Sequence, residues 1–219
     1  MMQVNETTYN LWNCIGNKTR TEVEDIVRRI KLIVFDVDGV FTDNTTTHIE
    51  GPPDFDFKNH TTSTEKTRSY YDGTGVSIIR AIGIRVVLIT GSTGESSGMA
   101  FDMVSKWNSL PESKPNKKNG WEPVLLCLGK NAEQKTTTIM EWIESMNILP
   151  EECAVMGNDI VDVEMMKIAG LSIIPADAAQ IMFKIADVYT NKKGGYGAVR
   201  EIADNFATVR GFDVLSTHV

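Results

Sequence analysis

No apolar run in this 219-residue sequence approaches the roughly 20 residues needed to span a bilayer, so no membrane partner is expected. The opening MMQVNETTYNLWNC is polar rather than basic-then-apolar, which gives no export signal. Cysteine is scarce: Cys14, Cys127 and Cys153 lie far apart and form neither a C-x-x-C pair nor an even disulfide framework. Reduced thiols in a cytoplasmic setting are the expectation. Without an export signal, the N-x-S/T triplets at Asn5, Asn17, Asn44 and Asn59 read only as Thr-rich surface. Basic clusters are also missing. A net charge of -7 repels phosphate backbones, and no basic stripe carries interleaved aromatics, so nucleic acid is not an expected partner.

What is present is an ordinary globular composition, 42% hydrophobic and 23% charged, in a chain of one-domain length. Short β-forming apolar runs recur at Lys31–Val34, Ile84–Ile89, Val124–Leu128, Ala154–Met156 and Leu171–Ile174. Helix-length segments alternate with them at Gly75–Ile82, Glu95–Trp107, Ala132–Met146 and Val161–Ala169. Strand-helix alternation predicts an α/β fold, a Rossmann-like three-layer sandwich with a mostly parallel sheet and right-handed crossovers. Two stretches break the rhythm. Residues 44–71, Thr-rich and carrying Gly51-Pro52-Pro53, read as a hairpin or flap after the first strand, and Pro111–Pro123 as a polar loop.

In open sheets of this kind, ligands sit beyond the carboxyl ends of the strands, so polar residues just after each run carry the chemistry. Asp36 and Asp38 follow the first run, with Gly39 letting the chain turn away. One carboxylate can attack phosphorus while the other exchanges protons with the leaving oxygen and water. Their mutual repulsion favours a hard divalent cation, magnesium, which also neutralises phosphoryl oxygens. A D-x-D pair alone is as often a solvated turn. Thr90, Gly91 and Ser92 offer hydroxyls and amides to a phosphoryl group, or cap a helix. Lys135 can hold negative charge in the crevice or face solvent. Asn158, Asp159 and Asp162 supply further oxygens for the cation or cap the helix that follows.

Taken in order, D-x-D-G-V-x-T-D, I-T-G-S, a lysine and G-N-D-x-x-D resemble the four motifs of the haloacid dehalogenase-like phosphatases. Within them the chain looks like the capless subgroup of 3-deoxy-manno-octulosonate (KDO) 8-phosphate and nonulosonate (sialic acid, KDN) 9-phosphate phosphatases, from about Glu24 to Phe206. RRIKLIVFDVDGVFTD, Asp72-Gly73 with Gly75-Val76, GLSIIPADA and KKGGYGAVREIADNF add to the likeness. It is also similar to the C-terminal module of acylneuraminate cytidylyltransferases, which lacks the nucleophile. A non-catalytic oligomerisation or regulatory module is therefore the alternative to an enzyme.

The resemblance implies a magnesium-dependent phosphomonoesterase working through an aspartyl-phosphate on a small phosphorylated sugar acid. Asp36, Asp38 and Lys135 are the expected catalytic residues. Asp36, Asp38, Asn158, Asp159 and Asp162 are the expected metal set, and Thr90, Gly91, Ser92, Asp72 and Gly73 the expected substrate and phosphate contacts. A homotetramer is implied as well. Residues 1–23 are read as an N-terminal extension, 24–210 as the phosphatase domain with no large cap, and 211–219 as a tail. Asn158 departs from the family, which usually has Asp there, and Ser92, Tyr71 and Tyr196 stand where the two subgroups commonly carry charged residues.

Overall fold

The computed structural model describes residues 11–49, 63–114 and 116–216. In chain order the elements are β1 (Asn13–Cys14), α1 (Arg20–Arg29), β2 (Leu32–Asp36), β3 (Thr47–Ile49), β4 (Ser63–Glu65), α2 (Tyr70–Ala81) and β5 (Arg85–Ile89). Then come α3 (Gly98–Asn108), β6 (Leu125–Cys127), α4 (Ala132–Ser145), β7 (Cys153–Met156), α5 (Val163–Lys167), β8 (Leu171–Ile174), β9 (Val188–Tyr189) and α6 (Ala198–Val209). Seven strands form one sheet in the order β1-β9-β8-β7-β2-β5-β6. All neighbours run parallel except β1 against β9.

Every residue of β2 is buried, as a central parallel strand covered on both faces requires. Side-chain alternation splits it between two cores. Ile33 and Phe35 pack with residues of α1, α2, α3 and α6, while Leu32 and Val34 pack with residues of α4 and α5. That division is the expected three-layer sandwich. The expected insertion after the first strand contains an antiparallel pair, β3 with β4, in register Thr47 to Glu65; residues 50–62 between them lie outside the described residues.

The sheet takes in more than the sequence reading assigned to it. Asn13 and Cys14, placed in the N-terminal extension, pair with Tyr189 and Val188. α1 begins at Arg20, closed by a capping box between Thr19 and Glu22. α2 begins at Tyr70, five residues before the expected start, with Ser69 as its cap. No described helix is long and apolar enough to cross a membrane.

The chain runs outward from β2 to β5 and β6, then returns to the other side of β2 for β7, β8 and β9. The loops after β2, β5 and β7 therefore open around the point where strand order reverses, which is where such sheets form a crevice.

Candidate active site

Asp36 ends β2 beside Ile89, and the loops beyond β2, β5 and β7, with the start of α4, enclose a crevice of about 230 Å3. It is lined by Asp36, Asp38, Thr90, Gly91, Ser92 and Lys135, together with Asn44, Asn158, Asp159 and Val161. The sequence reading thus located most of its site residues in one place, though they are spread over more than 120 positions of chain.

Asp36 is 5% exposed. Lys135 Nζ reaches its Oδ1 at 2.5 Å and Asp162 Oδ1 at 2.7 Å. Burial and the Asp162 charge push the Asp36 carboxyl up to about 7, with Lys135 pulling in the opposite direction. Burial alone would lower the Lys135 ammonium, but the two carboxylates together hold it above its ordinary value. An Asn131–Gln134 capping box fixes the start of α4, and so the position of Lys135 one residue later.

Asp38 is gripped on both oxygens. Lys66 Nζ approaches Oδ1 at 2.5 Å, while Ser92 Oγ and Thr90 Oγ1 donate to Oδ2 at 2.8 and 3.2 Å. Ser92 is spent on Asp38 rather than left free for a ligand. Lys66 also donates to Ser96 O and was not anticipated, because a lone lysine in a polar insertion carries no signal of its own.

Asp162, expected among metal ligands, is fully buried. Its Oδ2 accepts the amides of Asn158 and Asp159 at 3.0 and 3.3 Å, and Lys135 occupies its Oδ1. That geometry makes it the partner that orients Lys135. Gly157 leaves room for it, since a Cβ there would stand 2.5 Å from the Asp162 Cβ. Asp159 accepts the Ile160 amide at 2.7 Å and caps the short turn that follows.

Asp72 and Gly73 do not line the crevice. The Asp72 carboxylate accepts the amides of Gly197 and Arg200 at 3.2 and 3.0 Å, tying α2 to the start of α6. Gly73 faces the Trp107 indole. In this structure both residues dock helices.

The donor set was tested for a hard cation. Among the described residues no three His, Cys, Asp or Glu side chains converge as a ready metal cluster. Three residues that line the crevice each keep an oxygen uncommitted: Asp36 Oδ2, the Asp38 carbonyl and the Asn158 carboxamide accept no hydrogen bond among the described residues. Gly39, at φ +89, lies so close to Asn158 that an added Cβ would stand 2.0 Å from its Nδ2. Among the described residues Asp36, Asp38 and Asp162 form ion pairs with Lys66 and Lys135 alone, three carboxylates to two cations, so added positive charge suits the pocket.

The turn between β9 and α6 buttresses this loop from behind. Gly195 N donates to Val40 O at 2.9 Å, and Tyr196 Oη to Asp43 Oδ2 at 3.3 Å. A Cβ on Gly194 would stand 1.9 Å from Gly39 O, so only glycine permits the approach.

A family profile described as haloacid dehalogenase-like hydrolase matches residues 22–202. The 3-deoxy-D-manno-octulosonate 8-phosphate phosphatase KdsC of Salmonella typhi is 26% identical over 92% of each chain. The crystal structure of the corresponding phosphatase from Yersinia pestis superposes with a TM-score of 0.69 at 25% identity, covering 87% of each chain. That from Moraxella catarrhalis, in complex with magnesium, phosphate and KDO, gives 0.69 at 22% identity over 88% of this chain and 94% of its own.

Proposed function

Since this chain belongs to the haloacid dehalogenase-like hydrolases, we propose that it is a magnesium-dependent phosphomonoesterase acting on a small phosphorylated sugar acid of the KDO 8-phosphate or nonulosonate 9-phosphate type. The observation that carries the reading is the pairing of buried Asp36 with Lys135, two residues from an Asp38 held by separate donors.

Asp36 attacks phosphorus through one carboxylate oxygen, leaving the other for the cation, and the bond to the leaving alkoxide breaks as an aspartyl-phosphate forms. Asp38 gives the leaving oxygen its proton, then takes one from the water that cleaves the intermediate. Lys66, Thr90 and Ser92 fix the Asp38 carboxyl for that exchange. Lys135 balances charge on Asp36 and the phosphoryl oxygens, kept in place by Asp162. The Gly91 amide offers a donor to the phosphoryl group, the Thr90 hydroxyl being committed to Asp38. Asp36, the Asp38 carbonyl and Asn158 would hold magnesium, with Asp159 at the rim. When bound, the cation neutralises phosphoryl charge and lets an anionic nucleophile approach. The likeness to KdsC enzymes favours a sugar-acid substrate. The subgroup likeness also implies a cytoplasmic homotetramer, and exposed Tyr71 and Tyr196, both lining one cleft, offer surface for neighbours.

A phosphate-release screen over KDO 8-phosphate, nonulosonate 9-phosphates and neutral sugar phosphates tests the reading. Sugar-acid phosphates should be hydrolysed with magnesium, and both excess EDTA and Asp36→Asn should abolish release. Retained release in Asp36→Asn would overturn the mechanism, and release from neutral sugars alone would overturn the substrate class.

A further inference from the structure

A second cavity of about 250 Å3 lies between α2, α3 and the loop that precedes β6, and shares no residue with the Asp36 crevice. Its back is held by Arg80, 3% exposed, which donates to Trp107 O, Glu122 O and Ser113 Oγ, each at 2.9 Å. The guanidinium also lies over the Trp121 ring, 5.4 Å from its centroid. Trp107 and Trp121, both lining the cavity, are thereby fixed by one buried cation that has no carboxylate partner among the described residues.

The mouth is different. Arg68 Cζ stands 4.9 Å, and Lys106 Nζ 5.4 Å, from the centroid of the same exposed ring, Tyr70. Two cations gathered on one ring repel each other, and an anion bound beside them relieves that repulsion. Glu112 lines this cavity and Asp102 the adjoining groove, yet neither forms an ion pair with Arg68 or Lys106 among the described residues. Inside, the Ser77 and Thr74 hydroxyls are available, and the Trp107 indole N–H has no acceptor among the described residues. The volume falls just below the range of about 300–1,000 Å3 that holds drug-sized ligands, which suits a single substituted ring.

We propose that this cavity is a second ligand site for a monosaccharide-sized acid, its ring against Trp121 and the edge of Trp107 and its carboxylate beside Arg68 and Lys106. The partly exposed Trp121 takes a ring face without demanding hydrogen bonds, the interior donors read hydroxyls, and the two cations select an acid over a neutral sugar.

No tryptophan lines the Asp36 crevice, so indole N–H signals in 15N-labelled full-length protein report this cavity separately. Titration with D-glucuronate should displace the Trp107 and Trp121 signals saturably, while those of Trp12 and Trp142 stay still. D-glucose, with a similar ring and no charge, should not reproduce the effect. Replacing both cations, Arg68→Met with Lys106→Met, should weaken glucuronate by about tenfold or more. The same spectrum establishes that the variant is folded. Equal displacement by glucose, undiminished affinity in the double variant, or no displacement in the millimolar range would overturn the proposal.

Discussion

Lys135 neutralises two buried carboxylates at once, so its loss should be felt in stability as well as turnover. Lys135→Met should destabilise by about 3–5 kcal/mol in urea unfolding with chelator present, because Asp36 and Asp162 are left facing each other unpaired. Adding Asp162→Asn should recover part of the loss, and strictly additive losses would contradict the shared network. Asn158→Asp replaces an uncommitted carboxamide with a charged oxygen of nearly the same shape. The half-saturating magnesium concentration for activity should fall. An unchanged value would move the coordinating role to Asp159. Cys153 tests burial alone: its thiol is pushed up to about 12. With the folded value above the unfolded one near 9, the thiol's contribution is intact below pH 9 and declines as pH rises from 9 toward 12. Alkylation of native protein at neutral pH should spare Cys153 and proceed after denaturation. The decline in stability above pH 9 should also be shallower in Cys153→Val, by up to about 1.4 kcal/mol per pH unit.

At the scale of elements, the Asp72-Gly73-x-Gly75 signature has a mechanical explanation. Asp72 binds the amides at the start of α6, Gly73 admits the Trp107 indole, and a Cβ on Gly75 would stand 2.9 Å from Arg200 Cα. The residues that look like a substrate motif dock α2 against α6 and α3. Asp72→Ala should cost about 1–3 kcal/mol by leaving buried amides unpaired. Gly75→Val should also destabilise, since two backbones would have to part. Neither substitution should alter the substrate KM in protein that remains folded, and a large KM change would return Asp72 to the substrate's side. This signature also hid the start of α2 from the sequence, because two glycines in three residues argue against a helix that tertiary packing nevertheless imposes. β1 and β9 were invisible for another reason. Two residues are too few to show a period, and their pairing is set by the sheet edge they meet.

For the whole molecule, the post-strand positions were the legible part. Apolar runs located β2, β5, β6, β7 and β8 within a residue or two, and the residues following them, from Asp36 to Asn158, do meet. Pair identities were not legible. That Asp162 holds Lys135, or that Lys66 reaches Asp38, depends on side-chain directions across three layers, which no local pattern encodes.

The glycine wedge behind the Asp36–Asp43 loop has a consequence for synthesis. Gly194 and Gly195, which press on the loop, follow it by more than 150 positions of chain, so the loop is synthesised well before them. Domains fold as emerging chain permits, so every residue of the crevice is available well before its support exists. A nascent chain released before Gly194 should hold all of that chemistry and hydrolyse nothing. Timed release of chains in a cell-free system should therefore give phosphatase activity that switches on only once Gly194, Gly195 and the core helix α6 that follows them have been added.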